Sequence, residues 1–143
     1  MRIKIREVTR QGLDIVEQVM PHELDLSEDF IDLESPIVVK GRLERVDNFI
    51  LANLKVTYTV DTVCARCLDP IVGEMTRDYE FDFEFKDGDE FVDLGARVRE
   101  EILMTYAPGT LCKEDCQGIC KGCGVYLNTE ECECEKRGIK KKA

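Results

Sequence analysis

The stretch YEFDFEF, residues 79–85, has the strict alternation of a β-strand. Its four aromatic side chains fall on one side and its three acidic side chains on the other, because successive residues of a strand point to opposite faces. We expect the aromatic side to line a core and the acidic side to face solvent. Gly88 then ends the pattern.

The segments before this strand carry weaker β patterns. Alternating apolar residues predict strands at 2–8, 37–43 and 54–60. Residues 13–20 fit either a strand or a short helix, and the acidic segment 23–35 is typical of a loop with one helical turn. Antiparallel β-structure should therefore dominate the first half of the chain.

Three local signals refine this outline. The pair Asp47-Asn48 predicts a hairpin turn, and Gly41 suggests a β-bulge. After the aromatic strand, Asp93 is a plausible N-cap for a helix near residues 94–106, in which apolar residues recur at helical spacing. Pro108-Gly109 should end that helix.

These patterns predict a mainly β fold of the α+β class. Residues 1–110 would form an antiparallel β-rich body, or a partial barrel, with one packed helix. Residues 111–135 would form a cysteine-rich zinc-binding tail of the zinc-knuckle type, and residues 136–143 a flexible basic end.

The composition restricts the class of partner. The chain has 143 residues, is 35% charged and has a formal net charge of −10. Such a molecule repels the phosphates of nucleic acid and attracts a basic protein, although acidic charge can also serve only solubility. The chain has no apolar run of about 18 residues, and its charged N-terminal segment is unlike a signal peptide, so we expect a cytoplasmic protein.

The thiols are the main candidate for site chemistry. In a reducing compartment, crowded cysteines indicate metal ligands more than disulfides. All the candidate ligands are cysteines, namely Cys64, Cys67, Cys112, Cys116, Cys120, Cys123, Cys132 and Cys134. We expect them to hold one or two Zn²⁺ ions.

The spacing favours one complete zinc site in the tail. The motif Cys120-x2-Cys123-Gly124 is a knuckle, in which two thiolates face one ion and the glycine allows the backbone to turn. Cys132 and Cys134 supply the remaining two ligands, unless their tight spacing leaves one of them spare.

In that second arrangement Cys116 takes the place of the spare cysteine. Cys64 and Cys67 form a separate half-site, which Cys112 and Cys116 can complete. Both arrangements are compatible with the spacing.

Other kinds of chemistry fit the chain less well. A thioredoxin-like Cys-x-x-Cys opens a helix, whereas Asp69-Pro70 follows Cys67, and the tail spacing matches neither common ferredoxin pattern. His22 has no motif around it, and we expect it at the surface. A zinc ion with four thiolates has no open position for a reacting water, so we expect no enzymatic activity.

Several of these segments resemble the YceD family, described as large ribosomal RNA subunit accumulation proteins. The resemblance is carried by residues 64–70 (CARCLDP), the helical segment 93–106, residues 116–128 (CQGICKGCGVYLN) and residues 132–134 (CEC). It implies a non-enzymatic role in the accumulation or processing of large-subunit ribosomal RNA. Because the family's gene often lies beside one for a large-subunit ribosomal protein, it also implies such a partner.

Two classes of function follow from the sequence. In the first, the protein is a ribosome-assembly factor that holds a basic large-subunit ribosomal protein through acidic residues such as Glu80, Asp82 and Glu84, or contacts precursor rRNA. RNA contact would use the zinc tail and the basic end, which contains Lys136, Arg137, Lys140, Lys141 and Lys142. In the second, the protein is a zinc-dependent thiol redox switch or holdase.

Overall fold

The computed structural model describes residues 1–27, 31–32, 34–105 and 109–138. The chain divides into two compact units. The first, which we call the β body, consists of Met1–Asp61 and Val72–Thr105, and the second, the cysteine unit, of Thr62–Ile71 and Tyr106–Ala143. The division at residues 110 and 135 stays a prediction, and residues 139–143 of the basic end lie outside the described residues.

The structure is β-rich, as predicted, with antiparallel pairing and one long helix. Its strands are β1 (Arg2–Lys4), β2 (Leu13–Val19), β3 (Ile37–Val46), β4 (Phe49–Val63), β5 (Pro70–Glu84) and β6 (Phe91–Asp93). Strands β2, β3, β4 and β5 form a four-stranded sheet in that order, while β1 pairs with β6. The partial barrel stays a prediction.

The four-stranded sheet has a regular register, and the side chains on one face of each central strand are buried. Val39 and Leu43 of β3, and Leu54 and Val56 of β4, are almost completely buried. The hairpin between β3 and β4 turns at residues 47–48, which confirms the predicted turn. These apolar rows form the core of the β body.

Gly41 lies within this regular register, so the predicted bulge is wrong. It is opposite Ile15 of β2 on one side and Leu54 of β4 on the other. A Cβ atom at this position would collide with the backbone oxygen of Asn53 and with Leu54. The glycine is therefore needed for the close approach of β4, and not for an extra residue in the strand.

We expect Gly41→Ala to destabilise the β body by about 1–3 kcal/mol, because the added methyl group forces the two strands apart. Gly73→Ala in β5 is the matched control, since a Cβ there meets nothing within 4 Å. Thermal unfolding followed by circular dichroism measures both variants. Equal unfolding temperatures for the two variants would show that the close contact at Gly41 does not constrain the residue.

The aromatic strand occupies the end of the sheet and not its middle. Phe81 is 5% exposed, but Tyr79, Phe83 and Phe85 are only half-buried. The expected wall of a core is thus partial, because in the part of the chain that the structure describes β5 has a neighbouring strand on one side only. The outward acidic side chains of β5 are exposed, as predicted.

The helix of the β body, α1, comprises Leu94–Thr105. The backbone N–H of Ala96 donates to Oδ1 of Asp93 at 3.1 Å, which confirms Asp93 as the cap. Leu94, Val98 and Ile102 are completely buried and form the predicted apolar stripe. The predicted end of this helix at residues 106–108 lies outside the described residues.

The N-terminal segments differ in detail from the sequence patterns. The strand expected at 2–8 stops after Lys4, and a 3₁₀ turn, Ile5–Glu7, follows because β6 offers only three pairing residues. Residues 13–19 are a strand, and the helical turn, Pro21–Leu24, begins before the acidic segment 23–35 and overlaps only its start. Residues 28–30 and 33 of that segment are outside the described part. No helix of the described residues is long and apolar enough to span a membrane.

Candidate metal centre

Four thiols of the cysteine unit converge to form a first cluster. Cys64 follows the last residue of β4, and Cys67 lies in the turn before β5. The Sγ atoms of Cys64 and Cys116 are 3.8 Å apart, and those of Cys67 and Cys112 are 3.7 Å apart. The four Sγ atoms all lie within 4.8 Å of one another.

A second cluster is formed by Cys120, Cys123, Cys132 and Cys134, again within 4.8 Å. The Sγ atom of Cys120 is 3.1 Å from that of Cys132 and 3.6 Å from that of Cys134. Cys123 and Cys132 are 3.8 Å apart at sulfur. An antiparallel β-bridge joins Ile119 and Tyr126, which lie on either side of the knuckle in the sequence. Helix α2 (Cys134–Arg137) begins at the last cysteine.

All eight candidate ligands are thus brought together, in two groups of four. Cys116 lies in the first group and both Cys132 and Cys134 in the second, which matches the two-site arrangement considered from the sequence. His22 is exposed in its 3₁₀ turn and takes no part in either cluster.

The two Cys-x-x-Cys segments have the same hydrogen bonds. The backbone N–H of Arg66 donates to Sγ of Cys64 at 3.5 Å, and that of Gly122 donates to Sγ of Cys120 at 3.4 Å. These N–H groups point at the sulfur that needs charge stabilisation when it is a thiolate. Both segments are therefore knuckles with one backbone design.

The turn after each knuckle is also shared. The N–H of Cys64 donates to the carbonyl of Asp69, and the N–H of Cys120 to the carbonyl of Val125, both at 2.9 Å. The residue after the second cysteine has a left-handed backbone in each case, with φ of 63° at Leu68 and 78° at Gly124. The first knuckle thus places a leucine where the second has the preferred glycine.

The arrangement fits a tetrahedral ion. With Zn–S bonds of about 2.3 Å, the edge of an ideal tetrahedron of thiolates is about 3.8 Å. Of the five sulfur–sulfur distances given above, four lie between 3.6 and 3.8 Å and the fifth is 3.1 Å, and the other pairs of each cluster lie within 4.8 Å. A disulfide would need about 2.05 Å, and all eight cysteines are free thiols. Either cluster could therefore hold a metal ion.

Among the thiols, one member of each knuckle ionises readily. A hydrogen bond from the backbone N–H of Cys67 is the main cause that lowers the pKa of Cys64 to about 6. The backbone N–H of Cys123 does the same for Cys120, whose pKa is also about 6. Backbone donors thus favour thiolate at the first sulfur of each motif.

Cys112 of the first cluster and Cys134 of the second are harder to ionise, whereas the hydrogen bond from Asn128 lowers the pKa of Cys116. The hydrogen bond with Cys132, followed by burial, raises the pKa of Cys134 to about 12. Burial likewise is the main cause that raises the pKa of Cys112. Several thiolates this close repel one another, and a divalent cation at the centre removes that repulsion.

Two side chains that the sequence did not single out support the first cluster. Nδ2 of Asn128 donates to Sγ of Cys116 at 3.3 Å, while Oδ1 of Asn128 accepts from the N–H of Gln117 at 2.8 Å. Nη1 of Arg66 donates to the carbonyl of Cys116 at 2.9 Å. Their only sequence signal is position, since Arg66 lies inside the knuckle and Asn128 between the last two cysteine pairs.

We expect Gly124→Leu to weaken metal retention at the second cluster about tenfold, because a left-handed leucine costs about 1–2 kcal/mol. Leu68→Gly should not weaken the first cluster, since it relieves the same strain. Competition with a chromogenic chelator measures both. Lys121→Leu, an exposed position in the same knuckle, is the control. If Lys121→Leu weakened metal retention as much as Gly124→Leu does, the effect of Gly124→Leu could not be due to its left-handed backbone.

Comparison with known proteins supports the earlier resemblance. A family model described as "Large ribosomal RNA subunit accumulation protein YceD" matches residues 73–142, about half of the chain. This chain belongs to the YceD family. The matched segment contains β5 from Gly73 onward, α1 and six of the eight cysteines, whereas Cys64 and Cys67 precede it.

The curated relatives of this chain are distant. The chain is 28% identical over 68 residues to "Large ribosomal RNA subunit accumulation protein YCED homolog 1, chloroplastic" from Zea mays, covering 47% of this chain and 23% of that protein. It is 27% identical over 104 residues to uncharacterised proteins of Mycobacterium tuberculosis and Mycobacterium bovis, covering 62% of this chain and 50% of theirs. The chain thus spans half or less of these relatives' length. No solved structure matches it.

Proposed function

We propose that this YceD protein is a non-enzymatic factor in assembly of the large ribosomal subunit, and that it supports large-subunit rRNA accumulation by binding a basic ribosomal protein in the cytoplasm. The observation that carries the proposal is the exposed acidic row of β5, which lies inside the segment matched by the family model. The row consists of Glu74, Asp78, Glu80, Asp82 and Glu84.

The charges of this row are available to a partner. Among the described residues, neither Glu80 nor Asp82 forms an ion pair, and the pair between Asp78 and Lys55 is long, at 3.8 Å, and solvent-exposed. An exposed pair of this kind contributes little stability. A basic partner can therefore engage the row without breaking a contact that the fold depends on, and unlike charges accelerate the encounter.

The role proposed for the cysteine unit is structural. We propose that its two clusters each bind one Zn²⁺ through four thiolates: Cys64, Cys67, Cys112 and Cys116 in the first, and Cys120, Cys123, Cys132 and Cys134 in the second. Zinc supplies cross-linking and charge neutralisation at such sites, and four thiolates leave no coordination position for a reacting water. The ions would stabilise a fold and take no part in a reaction.

The test uses capture of the tagged, zinc-loaded protein from its host before and after RNase treatment. We expect a basic large-subunit protein to remain bound after RNase, and the variant Glu80→Lys/Asp82→Lys to lose it. The control Glu17→Lys/Glu114→Lys makes the same change in net charge at exposed acidic residues outside β5. Loss of all ribosomal partners with RNase would instead favour direct contact with precursor rRNA.

A second candidate, the thiol redox switch or holdase, has one observation in its favour. Cys112 and Cys123 are exposed, so one thiol of each cluster is open to an oxidant. This candidate requires that at least one of them reacts while zinc is bound. Timed alkylation of the zinc-loaded protein tests it, and uniformly slow alkylation of all the thiols would exclude it.

A further inference from the structure

The outer edge of β5 is an open hydrogen-bonding edge. The sheet order ends at β5, and no strand among the described residues pairs with its other side. Each open edge of a sheet carries backbone N–H and C=O groups that a further strand can pair with. Within the β body this edge extends from Val72 to Glu84, which is long for a natural strand.

The side chains along this edge are sorted by charge. From residue 74 to residue 84, five of the six outward positions are acidic, with Thr76 as the exception. Outward side chains recur every two residues, about 6.6–6.8 Å, and an added strand has the same repeat. A strand with Lys or Arg at alternate positions would therefore place a cation beside each carboxylate.

The opposite face of the same strand is apolar from Tyr79 to Phe83, and the exposed Arg77 precedes this stretch. Tyr79 and Phe83 are half-buried beside the buried Phe81, with ring centroids 5.9 Å apart for Tyr79 and Phe81. Helix α1 contacts this face, since Arg97 lies over the Phe81 ring at 5.3 Å. The exposed parts of the aromatic rings can still contact apolar side chains of a neighbouring strand at the edge.

We infer that β5 accepts an extended segment of a basic protein by strand addition, and that the segment alternates Lys or Arg with apolar residues. The inference rests on the proposed function and specifies its binding mode. Backbone pairing with β5 gives affinity, the acidic row selects basic side chains on one face, and Tyr79 and Phe83 select apolar ones on the other.

The charge pattern disfavours a second copy of the chain as the occupant. Pairing β5 with another β5 would bring two rows of carboxylates alongside each other, and like charges directly opposite are destabilising. The same row protects the edge from self-association whether or not a peptide binds. The competing explanation of the acidic row is therefore that it only prevents self-association and binds no peptide, and the experiment must exclude this.

The probe is a fluorescent peptide of about ten residues in which Lys or Arg alternates with Val, measured by fluorescence anisotropy at about 0.15 M salt. Its control has the same composition with the alternation scrambled. We expect the alternating peptide to bind, and Glu80→Lys/Asp82→Lys to weaken it at least about tenfold. The variant Glu17→Lys/Glu114→Lys should bind as the wild type does. Unchanged circular dichroism confirms that the variants fold.

Backbone methylation separates strand addition from simple charge attraction. In an added strand, alternate amides face β5 and the others face away. Only one of the two sets of amides, that of the Val residues or that of the basic residues, therefore faces β5. We expect N-methylation of that set to weaken binding by about a hundredfold, and N-methylation of the other set to have little effect. The whole zinc-loaded protein is used throughout.

The outcomes are distinguishable from those of the proposed function. Equal effects of the two methylation sets, or equal binding of the scrambled peptide, would overturn strand addition. A complete lack of binding would also overturn it and leave the acidic row as protection only. In either case the proposed function would still stand if the Glu80→Lys/Asp82→Lys variant loses its basic ribosomal protein in the capture experiment.

Discussion

Removal of metal from the zinc-loaded protein unfolds the cysteine unit and leaves the β body folded. We expect amide hydrogen exchange to become fast in residues 62–71 and 109–138 after chelation. The reason is that each knuckle is held by a few backbone bonds around sulfur, and structural zinc contributes on the order of 10 kcal/mol to small domains of this kind. The β body keeps its protection because its core is built from aliphatic rows such as Val39 and Leu43, with no cysteine among them.

Restoring Zn²⁺ should restore the protection of the cysteine unit, whereas Mg²⁺ should not, because thiolates are soft ligands and Mg²⁺ prefers oxygen. Slow exchange in residues 109–138 after complete metal removal would contradict the prediction. It would show that the thiol clusters are packed by the chain alone, without an ion.

Substitution of one ligand in each cluster gives the second large effect. We expect Cys116→Ser and Cys132→Ser each to lower the zinc content from two ions per chain to one, since the two residues belong to different clusters. A tetrahedral site that loses a thiolate binds zinc far more weakly. Native mass spectrometry counts the ions directly, and the double variant should retain none.

The pair of variants also tests the ligand assignment. If Cys116 completed the second site in place of Cys132, then Cys132→Ser would leave the number of bound ions unchanged, whereas Cys116→Ser would remove the ion of the second site. Asn128→Ala is a useful comparison, because it removes only the hydrogen bond to Sγ of Cys116 at 3.3 Å. It should weaken the first ion while leaving the count of ions unchanged at saturating zinc.

Local patterns predicted the features that depend on local chemistry. Asp93 was identified as a cap because a short acidic side chain before an apolar helical stripe has few other roles, and its bond to Ala96 confirms it. The grouping of cysteines near the C-terminus followed from spacing alone. Asp93 and Ala96 are three residues apart, and the cysteines of the second cluster lie within 14 residues of one another.

Non-local features were less accessible. Alternation at residues 79–85 shows which face a side chain points to, but not whether its strand is central or at the end of a sheet, so the partial burial of Tyr79 and Phe83 was missed. Gly41 was taken for a bulge because the close approach of Asn53 depends on pairing with another strand. The first cluster joins cysteines that are far apart in sequence, so the spacing favoured a complete site in the tail but left open whether Cys116 belonged to that site or completed the half-site of Cys64 and Cys67.

The two clusters enclose loops of very different length. Cys67 and Cys112 are 45 residues apart, whereas Cys120 and Cys134 are 14 apart. Closing the longer loop costs about 1 kcal/mol more conformational entropy, and that loop contains strand β5 and helix α1 of the β body. The second cluster consists only of residues close in sequence, so it can form without the β body. The first joins cysteines that lie on either side of β5 and α1 in the sequence, so its metal loading should follow, and report on, the folding of the β body.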